Sequence, residues 1–113
     1  MSHRVEQINE LLHREISNFI SREGLLENGL ITITYVKCSA NLKNATIGIS
    51  VLPENLAGTA LRVLSRTSGQ LAKELNKKVK IQFIPKFRWE VDFLERNAIA
   101  IERAIAELKN NED

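Results

Sequence analysis

A chain of 113 residues with 43% hydrophobic side chains is long enough for one domain with a single modest core, and too apolar to be disordered. Its one cysteine, Cys38, excludes an internal disulfide, and a net charge of +2 selects no partner by itself. The start, MSHRVEQINELLHREI, carries charges and amides throughout and does not read as a secretory signal, and no apolar run approaches the ~20 residues that span a bilayer, so a soluble, cytoplasmic protein is expected.

Residues 4–22 read as a helix. Val5, Ile8, Leu12, Ile16 and Phe19 keep steps of three and four and place one apolar stripe toward a core. Gly24 is the expected stop, because glycine tolerates the left-handed conformation that ends a helix. Residues 30–38 are rich in β-branched side chains and read as a strand with Ile31, Ile33 and Tyr35 on one face. Ala40 to Asn44 reads as a turn, with Asn41 as turn chemistry. Residues 45–52 read as a second strand, with Ala45, Ile47, Ile49 and Val51 on one face. So short a connection implies an antiparallel hairpin, which Pro53 ends.

Asn55 is placed to cap a helix beginning near Leu56. Ala60, Leu64, Leu71 and Leu75 share its stripe, with Thr67 at the matching central position. The segment 65-SRTSGQLAKEL-75 interrupts that helix at Ser68-Gly69. Glycine inside a helix costs about 1 kcal/mol relative to alanine, and serine there competes for backbone hydrogen bonds. A kink through Thr67, Ser68 and Gly69 is therefore expected. Gly69 is read either as a site of close ligand approach or as a packing glycine. Val79, Ile81 and Phe83 alternate as a third strand, Pro85 interrupts its ladder, and Phe87, Trp89 and Val91 resume it. Asp92 and Glu95 resemble a capping box for a final helix with Leu94, Ala98, Ile101, Ile105 and Leu108 on its stripe. The residues from about 110 to 113 read as a frayed tail.

The expected architecture is α+β: one domain over residues 1–113, with a three-stranded mixed sheet and helices on one face. The helix between the second and third strands permits a parallel crossover pairing.

Charge is unevenly placed. From Arg62 to Arg88 there are eight basic residues (Arg62, Arg66, Lys73, Lys77, Lys78, Lys80, Lys86 and Arg88) against Glu74, a net of +7, which leaves −5 for the rest of a chain totalling +2. Such a segment is the footprint of a polyanion partner, and in its absence reads as a solvated helix face. These eight, with Ser68 and Gly69 at the kink, are the candidate RNA contacts. Phe87 and Trp89 read as core rather than as stacking platforms, and Cys38 as a small buried side chain. His3 and His13 lie ten residues apart without partner ligands. No nucleophile–base pair, metal-ligand cluster or phosphate-cradling glycine loop stands out, so no catalysis, cofactor, metal or small-molecule substrate is expected.

Three RNA-binding architectures compete. The double-stranded RNA-binding domain has no place for a long helix between its second and third strands. The RNA-recognition motif needs a basic-aromatic strand signature that is missing here. The type II KH order, α-β-β-α-kink-α-β, is what residues 4–84 present, followed by a C-terminal helix. The usual G-x-x-G turn is absent, since Arg66 and Ala72 stand three residues either side of Gly69.

Thr67-Ser68-Gly69, followed by Leu71, Leu75 and 79-VKIQFIPKFRWEVD-92, resembles the bacterial ribosome-binding factor A family, in which a helix–kink–helix with an A-x-G pattern replaces that turn. Arg4-Val5 and the hairpin 32-TITYVKCSANLKNATIGISVL-52 are similar too, so the resemblance covers about residues 4–108. Thr67 stands where alanine is usual, Ala72 where arginine is frequent, and Asn41 where aspartate is frequent. The resemblance implies a protein that binds the small ribosomal subunit and its RNA during late maturation, supporting growth in the cold; a monomer is expected. The competing reading is a protein–protein adaptor that binds no RNA.

Overall fold

The computed structural model describes residues 2–79, 81 and 83–92. Lys80 and the expected C-terminal helix, with Glu95 of its capping box, lie outside the described residues.

Helix α1 runs Ser2–Glu23 and strand β1 Leu30–Cys38. Strand β2 runs Asn44–Leu52, helix α2 Ala57–Lys78 and strand β3 Lys86–Val91. The sheet order is β1-β2-β3, with β1 antiparallel and β3 parallel to β2. The α2 crossover supplies the length that a parallel return requires. Both helices cover one face of the sheet. Ile8, Leu12, Ile16 and Phe19 of α1 meet Ile31, Ile33, Ile47 and Ile49 of the hairpin and Leu64, Leu71 and Leu75 of α2 in one buried cluster.

The expected stop of α1 is present: Gly24 has a φ of +55° and its N–H reaches the carbonyl of Ile20 at 3.3 Å. The hairpin turn is built on Asn41, whose Oδ1 accepts from the Lys43 N–H at 3.0 Å and the Ser39 hydroxyl at 2.6 Å. An amide oxygen serves this turn as a carboxylate would.

Five expectations need correction. β1 does not keep one face to the core. Its register slips between Ile33 and Tyr35, Thr34 being the extra residue of a bulge, so Val36 replaces Tyr35 in the buried row. Tyr35 moves to the opposite, open face. The chain from Val79 to Pro85 is not strand. Val79 closes α2, its N–H reaching the Leu75 carbonyl at 2.8 Å, and β3 begins only at Lys86, opposite the first residue of β2. A ladder cannot start before its partner does, and Pro85 has no N–H to donate. β2 itself begins one residue early, at Asn44. Asn55 does not cap α2; it lies in a 3-10 turn, Glu54–Leu56, and the cap position falls to Leu56 without a side-chain bond.

The fifth correction concerns α2, which is one unbroken helix of 22 residues rather than two segments. Thr67 donates its hydroxyl to the Val63 carbonyl at 3.0 Å, and Ser68 donates to the Leu64 carbonyl at 2.8 Å. Back-bonds of this kind bend helices without breaking them. Gly69 lies within the helix and away from positive φ. The buried stripe of Ala60, Leu64, Leu71 and Leu75 runs straight through the glycine. Burying one leucine is worth about 1.5–3 kcal/mol, which outweighs the ~1 kcal/mol cost of a helical glycine.

Candidate nucleic-acid interface

At about 100° per residue, Arg62, Arg66, Gly69, Lys73 and Lys77 fall within an arc of roughly 80° on α2, opposite the buried stripe. All five are exposed. From Arg62 to Lys77 the row spans about 22 Å along the axis. Gly69 lies at its centre, and a methyl group built on it meets nothing within 4 Å. Among the described residues no element crosses here, which favours the ligand-approach reading of Gly69 over the packing one. Lys78, about 100° further round the helix than Lys77, leaves the row.

The acid of the segment does not neutralise this row. Glu74 is held by Arg22 of α1, which also pairs with Glu23. Among the described residues none of Arg62, Arg66, Lys73 and Lys77 forms an ion pair. Arg62 bonds the Thr59 hydroxyl on its own helix, at 3.3 Å.

Lys86 and Arg88 alternate with Phe87 and Trp89 along β3. With Asn44 and Ser65 these four line a groove of about 440 Å³ between the sheet and α2. Ser65 also lines a second recess, about 490 Å³, with Leu61, Arg62 and Arg66. Ser65 is thus the place where the α2 row and the basic end of β3 meet. Arg62 and Arg66 border the recess on one side of Ser65 and Lys86 and Arg88 the groove on the other, while Lys73 and Lys77 continue the row along the helix.

The kink residues divide by role. The Ser68 hydroxyl accepts from Trp89 Nε1 at 2.8 Å while donating to Leu64, so it joins α2 to β3 and has no donor left for a ligand. The Thr67 hydroxyl is likewise turned onto the backbone. Phe87 and Trp89 meet edge to face at 6.1 Å and pack against the core. Cys38 is half-buried against the same core, and burial pushes its thiol pKa up.

Three further residues stand beside this surface without having been singled out from the sequence. Lys37 and Lys43 are exposed, and Tyr35 is half-buried on the open face of the sheet. Their available signal was alternation: Lys37 follows Tyr35 by two in a strand. The bulge hides that signal, because it reverses which face the pair occupies. Among the described residues no His, Cys, Asp and Glu side chains gather as a metal site, and no helix is long and apolar enough to cross a membrane.

Comparison with known proteins matches residues 4–105 to the family model described as ribosome-binding factor A. The ribosome-binding factor A of Stutzerimonas stutzeri is 32% identical over 120 residues, covering 97% of this chain and 92% of that one. The Macrococcus caseolyticus protein of the same name is 29% identical over 113 residues, covering 98% and 99%. The crystal structure of ribosome-binding factor A from Thermus thermophilus superposes with a TM-score of 0.67 at 22% identity, over 77% of this chain and 93% of that one. A Thermus thermophilus homology model fitted into a cryo-EM map of a 30S–ribosome-binding factor A complex gives 0.62 at 24%, over 73% and 88%. The fold is therefore the KH-like one, with an unbroken α2 where a G-x-x-G turn would divide it, and the chain belongs to the ribosome-binding factor A family.

Proposed function

We propose that this protein is an assembly factor that binds the small ribosomal subunit during late maturation of its RNA, and that the α2 row and the basic end of β3 make the RNA contact. One observation carries the reading: Arg62, Arg66, Lys73 and Lys77 line an exposed face without acidic partners among the described residues, while Glu74 is drawn away by Arg22. Lysine and arginine on a helix face meet phosphate oxygens and set position without reading sequence. Gly69 lets the sugar-phosphate chain come close to the helix backbone. On this reading the protein acts by binding rather than catalysis, in the cytoplasm where it would meet the ribosomal subunit. Membership of the family and the Thermus protein's 30S complex support the partner. The role in cold growth belongs to the same proposal.

The test is co-sedimentation with small subunits over a salt series, comparing the wild type with the triple charge reversal Arg66→Glu, Lys73→Glu and Lys77→Glu. Each lost phosphate contact should flatten the log–log salt slope by about 0.7–0.9. A folded triple variant that binds with the wild-type slope would place the RNA elsewhere. Binding indifferent to salt would favour a protein–protein adaptor.

A further inference from the structure

The α2 row leaves the open face of the sheet unused. The bulge at Thr34 delivers Tyr35 to that face, directly opposite Gly48 of β2. The ring lies over the glycine: a Cβ on Gly48 would fall 2.1 Å from Tyr35 Cε2 and 2.4 Å from Cζ. The phenol donates to Glu90 of β3, which is the register partner of Gly48. A rigid aromatic ring is thus propped by a glycine and tied across three strands. Lys37 sits two residues on, its Nζ 5.2 Å from the ring centroid. Thr46 pairs with Lys37 on one side and Arg88 on the other, and Asn44 pairs with Lys86. Lys43 adjoins them, its carbonyl accepting from the Lys86 N–H at 2.9 Å.

We infer that Tyr35 is a stacking platform for an unpaired base of single-stranded RNA, with Lys37 and Arg88 holding the flanking phosphates. The inference rests on the RNA-binding reading and extends it to a second surface, continuous with the first around β3 through Lys86 and Arg88. Charge selects the class of occupant. Lys37 lies over the ring, and Arg88, Lys86 and Lys43 follow toward the turn end of the sheet; Glu90 and Asp92 lie near the phenol, and Glu90 is occupied as the acceptor of its hydrogen bond. Shape selects the strandedness. A flat sheet face with one presented ring takes a splayed base, whereas a duplex keeps its base faces stacked inside. An exposed lysine over a ring is a weaker contact than a base stacked on it, so the base displaces Lys37 toward phosphate.

The test uses the full chain and two probes: a mixed-sequence 12-nucleotide single-stranded RNA containing 4-thiouridine, and a blunt duplex of the same sequence. Tyr35→Ala should weaken the single strand about tenfold and leave the duplex unchanged. Tyr35→Phe keeps a ring and should bind as wild type, and the crosslinked peptide should contain Tyr35. Tyr35→Leu covers Gly48 without a π face and repeats the measurement should alanine unfold the protein. Wild-type affinity in Tyr35→Ala and Tyr35→Leu overturns the inference. So does equal loss by Tyr35→Phe and Tyr35→Ala, which would make the residue a structural tie to Glu90. Weakened binding to subunits with an unchanged 12-mer would also overturn it, assigning the face to a protein. None of these outcomes touches the α2 row, whose failure would show only in the Arg66, Lys73 and Lys77 reversal.

Discussion

Replacing Gly69 by alanine sets stability against binding at one position. Alanine is favoured over glycine inside a helix by about 1 kcal/mol, part of which comes from restricting the unfolded chain. That gain is realised only where the native φ suits alanine and the new methyl meets nothing. Both conditions hold here: Gly69 lies inside α2 without a positive φ, and its added Cβ meets nothing among the described residues. The variant should be more stable by up to ~1 kcal/mol, which raises the melting temperature by about 4–8 °C. The same methyl stands in the middle of the Arg62–Lys77 row, between Arg66 and Lys73. It holds a phosphate chain off the helix, and losing one hydrogen-bond-sized contact weakens subunit binding about two- to tenfold. Urea and thermal melts followed by circular dichroism give the first quantity, and co-sedimentation with small subunits the second. A destabilised variant would refute the helical assignment of Gly69. A stabilised variant with unchanged binding would refute the view that glycine is kept for a ligand. Selection that holds glycine where alanine is more stable is expected at a functional surface.

Gly48→Ala should destabilise the protein by about 1–3 kcal/mol, because its Cβ would fall 2.1 Å from the Tyr35 ring, and adding Tyr35→Ala should recover part of that loss in denaturant melts. The phenol of Tyr35 is pushed up to about 12, first by its hydrogen bond to Glu90 and then by burial. A raised folded pKa means that this stabilisation is complete below pH 10 and is lost as the pH climbs toward 12. The chain has one tyrosine, so absorbance at the phenolate band reports it alone, and Glu90→Gln should bring the midpoint back toward 10. Ser68→Ala should cost about 0.5–1.5 kcal/mol, because the Trp89 indole loses its acceptor while alanine slightly favours the helix. Emission from the single tryptophan should shift, and unchanged melting with unchanged emission would show that the Ser68–Trp89 bond contributes nothing.

Periodicity determined α1, both strands of the hairpin and the buried stripe of α2, because each is a local repeat of 3.6 or 2 residues recorded in neighbouring side chains. The chemistry of Gly24 and Asn41 was legible for the same reason, since a turn is made within a few residues. The asymmetry of charge was also plain in the sequence. Tertiary structure decided the rest. Where β3 begins depends on Asn44, 42 residues earlier and opposite Lys86 in the ladder. Whether Ser68-Gly69 breaks the helix depends on the core beneath Leu64 and Leu71 and on Trp89, 21 residues beyond Ser68. The face that Tyr35 occupies depends on a bulge that inserts Thr34, and one inserted residue exchanges the two sides of a strand. The meeting of Tyr35, Gly48 and Glu90, and of Lys37 with Arg88 across Thr46, has no counterpart in local sequence. Those residues become neighbours only through the register of three strands, which long-range packing sets.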